Sequence, residues 1–132
     1  MKPQRPLPAP AEIHWLTDIV GAAAALSMIE AHGGTRVYVP KEINQNSAAR
    51  LALPLPEARR LGEERGGEHI LVPIARAWRV RLYRAAGMTY PAIARKLGIT
   101  ERAVGRILTD AGLTTSQGDL FRELVRTHVR MT

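Results

Sequence analysis

The sequence predicts a mainly α-helical protein with short β-strands: an N-terminal helical dimerisation region carrying Gly-Gly/strand/Pro repeats, and a C-terminal three-helix helix-turn-helix domain. Three observations carry this expectation. An apolar helical pattern from Glu12 to His32 is halted by Gly33 and Gly34. A short β-favouring run closed by a proline follows each of two glycine pairs. A basic, helix-patterned stretch contains a tight glycine turn between apolar residues. The expected segments are a flexible Pro-rich arm over 1–10, the dimerisation region over 11–73, the helix-turn-helix domain over 74–112 and a closing helix over 113–132.

The arm carries Pro3, Pro6, Pro8 and Pro10 and no apolar run, so it reads as neither a helix nor a signal peptide. In the next segment, Ile13, Leu16, Val20, Ala23, Ala24 and Ser27 make one stripe, and Trp15, Ile19, Ala22, Leu26 and Ile29 a second beside it. A helix this apolar asks for more cover than one small chain readily supplies, which favours a partner subunit. Gly21 is placed to break or kink it. Glycine takes the left-handed conformation at little steric cost, so Gly33 and Gly34 stop it. The run Thr35-Arg36-Val37-Tyr38-Val39 then reads as a strand closed by Pro40.

The same pattern returns 33 residues later, where Glu30, Gly33, Gly34, Val37, Val39 and Pro40 match Glu63, Gly66, Gly67, Ile70, Val72 and Pro73. This is an internal repeat whose strands can pair within a subunit or across a dimer. Between the copies, Ser47 is placed to cap a short helix to Leu53, and Pro56 to start a second running to Arg65. A further helix is expected from Ile74, with Ile74, Trp78, Leu82 and Ala85 inward and Gly87 at its end.

The net charge of +7 is unevenly spread: residues 11–74 carry 6 − 8 = −2, and residues 75–112 carry 8 − 2 = +6. Concentrated basic charge asks for an anionic partner, and the stretch lacks the wide apolar face of a membrane-surface helix. Within it, Thr89 to Thr109 meets the needs of two helices crossing through a short turn. Ala94 is small at the crossing, Gly98 follows four residues later where the turn needs positive φ, and Ile99 plugs the core. Ile93, Leu97, Val104 and Ile107 supply apolar contacts, and Thr89 and Thr100 can cap the two helices.

If the second helix enters the major groove of duplex DNA, its unpacked residues Glu101, Arg102, Gly105, Arg106 and Thr109 face the bases. Arg102 and Arg106 are four apart and can each pair with guanine O6 and N7; Glu101 can accept from cytosine N4. Thr89, Tyr90, Thr100, Arg79 and Arg95 are placed for phosphates, which fix register without reading sequence.

The sequence resembles the Mor-type family of phage transcription activators. The resemblance covers about residues 11–112 and rests on Glu30-Ala-His-Gly-Gly-Thr-Arg-Val-Tyr-Val-Pro40 followed by the C-terminal helix-turn-helix. It implies an intertwined homodimer, short strands linking it to two DNA-binding units, and activation by contact with RNA polymerase. It also implies that Arg36 and Tyr38 approach DNA. The second glycine pair departs from the family and puts His69 and Leu71 at the same positions, leaving open which strand would meet DNA.

No catalytic residue, cofactor or metal site is expected. The chain has no cysteine, and His14, His32, His69 and His128 are dispersed without metal-ligand spacing. His32, just before its glycine pair, reads as a cap at a helix end. The expected function is a sequence-specific double-stranded DNA-binding regulator, homodimeric, cytoplasmic and nucleoid-associated, with no membrane partner. The alternatives are the DNA-binding part of a recombinase or transposase, and a ring-forming DNA-packaging adaptor.

Overall fold

The structure, a computed structural model, describes residues 9–110. The expected closing helix over 113–132 and most of the Pro-rich arm lie outside the described residues. Among the described residues the chain is mainly helical with one short two-stranded sheet. It divides into two compact units, Ala9–Ala75 and the residues from Arg76 onward.

In the first unit a short 3-10 turn, Ala11–Ile13, leads into α1 (His14–Val20) and α2 (Ala22–His32). Gly21 separates the two helices with φ 86° and ψ 161°, a combination essentially restricted to glycine. The apolar stripes therefore run over two helices, and most of the first stripe is covered from within the chain. Ile13, Leu16, Val20, Ala25, Met28 and Ile29 are buried together with Leu51, Leu53, Ala58 and Leu61 of later segments. α1 packs on both α2 and α4 (Leu55–Arg65). Long-range partners unreadable from local pattern thus supply part of the cover, while Trp15, Ile19 and Leu26 of the second stripe stay half-buried and Ala22 exposed.

Strand β1 (Arg36–Tyr38) pairs antiparallel with β2 (His69–Leu71), with Arg36 opposite Leu71, Val37 opposite Ile70 and Tyr38 opposite His69. The flanking hydrogen bonds come in matched pairs. Val39 N–H donates to the Glu68 carbonyl and Val72 N–H to that of Thr35, each at 2.9 Å. Gly67 N–H donates to Val39 O at 2.6 Å, and Gly34 N–H to Val72 O at 2.7 Å. Each bond maps onto its mate by the repeat offset, so the two copies are related by a local two-fold axis through the Val37–Ile70 pair.

The glycine pairs divide the work. A Cβ on Gly33 would lie 2.7 Å from Ile29 O and 3.2 Å from Pro73 O; one on Gly66 would collide with Gly62 O and sit 2.9 Å from Lys41 Cα. The first glycine of each pair admits close backbone approach. The second, Gly34 at φ 84° and Gly67 at φ 88°, turns the chain into the strand.

Helix α3 (Gln45–Arg50) corrects the expected cap. Asn44 holds that position: Ser47 N–H donates to Asn44 Oδ1 at 2.9 Å, and Asn44 N–H donates back to Ser47 Oγ at 2.8 Å. Ser47 is the reciprocating third residue, and the helix stops at Arg50 rather than Leu53. α2 holds the carbonyls at this helix's end. Ser27 Oγ donates to Ala52 O at 2.8 Å, and His32 Nε2 lies 2.6 Å from Arg50 O, so the imidazole donates from Nε2. His32 therefore caps the end of a neighbouring helix.

In the second unit, α5 spans Arg76–Ala85 and packs with α6 (Tyr90–Leu97) and α7 (Glu101–Asp110). The expected start at Ile74 is two residues early. Pro73 and the positive φ of 49° at Ala75 keep that stretch out of the helix, and Ile74 stays exposed. Trp78, Val80, Tyr83 and Ala85 are the buried residues of α5, with Leu82 only half-buried. Among the described residues no helix is long and apolar enough to cross a membrane.

Candidate nucleic-acid interface

The α6–turn–α7 segment is built from local chemistry. Thr89 Oγ1 accepts from Ala92 N–H at 3.3 Å and starts α6, with Pro91 in the first turn, where a missing N–H costs nothing. Gly98 is left-handed, at φ 69° and ψ 34°, and the N–H groups of Gly98 and Ile99 both donate to Ala94 O. Two residues later Thr100 Oγ1 accepts from Ala103 N–H at 3.0 Å and starts α7. Each capping hydroxyl accepts with its oxygen and keeps its own hydrogen for an outside acceptor.

Ile93 and Val104 are fully buried, and Ala94 and Leu108 nearly so. Leu97, Ile99 and Ile107 are half-buried. The inward register of α7 is therefore Val104 with Leu108, rather than the expected Val104 with Ile107; both spacings fit one helical face.

The opposite face of α7 carries Arg102, Arg106 and Thr109, all exposed, and Glu101 is exposed at the helix start beside it. At 100° per residue they fall within about 140° of arc. The Thr109 hydroxyl donates to Gly105 O at 2.9 Å, leaving its oxygen able to accept. Gly105 is the exception among the expected base readers. It is half-buried, and a Cβ there would stand 3.6 Å from Tyr90 Cε2, so it forms the seat for the Tyr90 ring.

Among the expected phosphate contacts, Thr89, Thr100 and Arg95 are exposed, and Tyr90 is partly so. Arg84 lies over the Tyr90 ring at 5.2 Å and donates to Met88 O at 3.0 Å. Arg79 is half-buried, its Nε donating to Tyr83 OH at 3.1 Å, with Lys96 Nζ 5.3 Å from the same ring. The i, i+4 spacing of Arg79 and Tyr83 was available to sequence reasoning; the approach of Lys96 from α6 was not. Tyr83 and Arg84 thus set the posture of Arg79 and Tyr90.

No family model, curated protein or solved structure matches this chain.

Arg36, Tyr38 and His69 belong to the other unit and make a surface of their own. With Leu71 they occupy the exposed face of the strand pair, while Ile70 is buried and Val37 half-buried on the inner face. The Tyr38 and His69 rings pack 5.0 Å apart at 52°. An open cleft of about 280 Å³ adjoins them, lined by Val37, Tyr38, Pro40, Ser47, Arg50 and Leu51. Arg50 is a cation that sequence reasoning missed there, since only the fold brings α3 beside β1. Among the described residues no group of three or more His, Asp or Glu is placed to hold a metal ion.

Proposed function

We propose that this chain is a sequence-specific double-stranded DNA-binding regulator of transcription, acting by binding rather than catalysis, in the cytoplasm at the nucleoid. The observation that carries the reading is α7 itself. One face is buried through Val104 and Leu108, and the other leaves Arg102, Arg106 and Thr109 exposed, with Glu101 exposed at the helix start, in a stretch carrying 8 − 2 = +6. A helix held from behind with a basic, hydrogen-bonding front suits the major groove, where arginine pairs with guanine and a carboxylate accepts from cytosine. Free donor hydrogens on Thr89 and Thr100, at the starts of both helices, and the exposed Arg95 suit phosphates on either side. The strand face of Arg36, Tyr38 and His69 offers a second DNA contact, as the resemblance to Mor-type activators implies.

The test is selection of bound sequences from a random duplex pool, repeated with Arg106→Ala. A shared motif is expected from the unsubstituted chain. The variant should lose about 1–3 kcal/mol of binding and relax its preference at one base pair. A bound pool without any shared motif would refute sequence-specific regulation.

A further inference from the structure

We infer that one chain is the complete working unit: its two helix–glycine–strand copies close on each other as the halves of a dimer would, and the DNA it takes is a single asymmetric half-site. The second clause rests on the DNA-reading function proposed above; the first stands without it.

Closure is visible at three levels. The flanking donors of both copies, the N–H groups of Gly34, Val39, Gly67 and Val72, are all bonded inside the chain. The backbones interlock at the glycines, Gly33 against Pro73 and Gly66 against Pro40 and Lys41. The segment joining the strands is itself part of the unit, since α3 and α4 pack together and α4 packs on α1. Large apolar side chains left exposed among the described residues are Tyr38, Leu71, Ile74 and Tyr90. Tyr38 and Leu71 share the outer strand face, a patch of two residues, whereas a stable interface buries about 800 Å² and about 20–30 residues on each partner.

The two-fold relation is also broken where it faces solvent. Repeat mates on the exposed strand face are Arg36 with His69 and Tyr38 with Leu71. A pair of identical subunits would present the same residue twice. More tellingly, two copies share one α6–α7 segment. A symmetric dimer brings two reading helices to a palindrome. One reading helix per closed pair matches one half-site.

The absence of cysteine makes closure testable with introduced thiols. Arg36 and Leu71 stand opposite each other between hydrogen-bonded rungs, where Cα atoms approach to about 4.5 Å, within reach of a disulfide. The full-length R36C/L71C double variant, mildly oxidised, is expected to run as a single chain on a non-reducing gel. The unsubstituted chain is expected at 14.5 kDa by light scattering across tens of micromolar. A covalent dimer, or twice that mass, would overturn closure. Should the double variant fail to fold, Y38C/H69C, the other opposed pair, gives the same readout.

For the DNA clause, the unsubstituted chain should select a motif without two-fold symmetry and show one chain per duplex by native mass spectrometry. A palindromic motif carrying two chains overturns it. Retention of no duplex at all overturns the DNA-reading function instead, while the gel and the mass decide closure alone.

Discussion

Gly105 sits in the middle of α7, where glycine costs about 1 kcal/mol relative to alanine. Sterics do not explain it, because a Cβ would make only ordinary contact with Tyr90. Gly105→Ala should therefore stabilise the fold by up to about 1 kcal/mol, seen as a higher urea midpoint. The added methyl would meet the Tyr90 ring rather than the Arg102–Arg106 side of the helix, so on the proposed function affinity should hold as stability rises. A variant that gains stability and loses affinity would return Gly105 to the interface. The capping threonines differ in kind. Thr100→Ala removes an acceptor from the start of α7 and should destabilise by about 1 kcal/mol, with Thr100→Ser restoring most of it in thermal melts.

At the scale of elements, the paired glycines make separable predictions. Gly66→Ala drives a methyl into backbone and should destabilise by about 1–3 kcal/mol. Gly67→Ala meets mainly the Lys41 side chain but must hold φ 88°, at about 1–2 kcal/mol. Urea denaturation checks both, and equal tolerance of the two would mean the strand entrance is looser than described. Which parts of this were legible follows from how local each determinant is. Thr89, Gly98 and Thr100 act within four residues of themselves and were readable in place. The α3 cap was misread because Asn44 and Ser47 are both competent caps and only the backbone chooses. Ile74 and Ile107 were misplaced because apolar period alone does not say where a helix starts or which of two neighbouring residues points inward. The packing of α4 on α1 was not legible at all, since α4 reaches it across an intervening stretch of chain.

At the scale of the molecule, charge separates as sharply as structure: −2 over residues 11–74 against +6 over 75–112. DNA association should therefore weaken steeply with salt. With Arg79 and Arg95 as the charged phosphate contacts, log affinity should fall with log salt at a slope of about −2. Arg95→Gln should make that slope shallower by about 1 without altering the selected motif, measured by fluorescence anisotropy across a salt series. A slope unmoved by the substitution would place Arg95 off the phosphates.

The pairing of β1 with β2 inside one chain has a further consequence. At a two-fold interface between identical subunits, every substitution appears twice, and its energetic effect is doubled on the day it arises. Here Ile29 on α2 has Gly62 as its repeat mate on α4, and the space that Gly62 leaves is taken by the Ile43 side chain. Each side of the ladder can be altered alone, with half the perturbation and no obligation to fit its own mirror image. Such a strand pair can drift toward an uneven surface in single tolerable steps, a route closed to a symmetric pair.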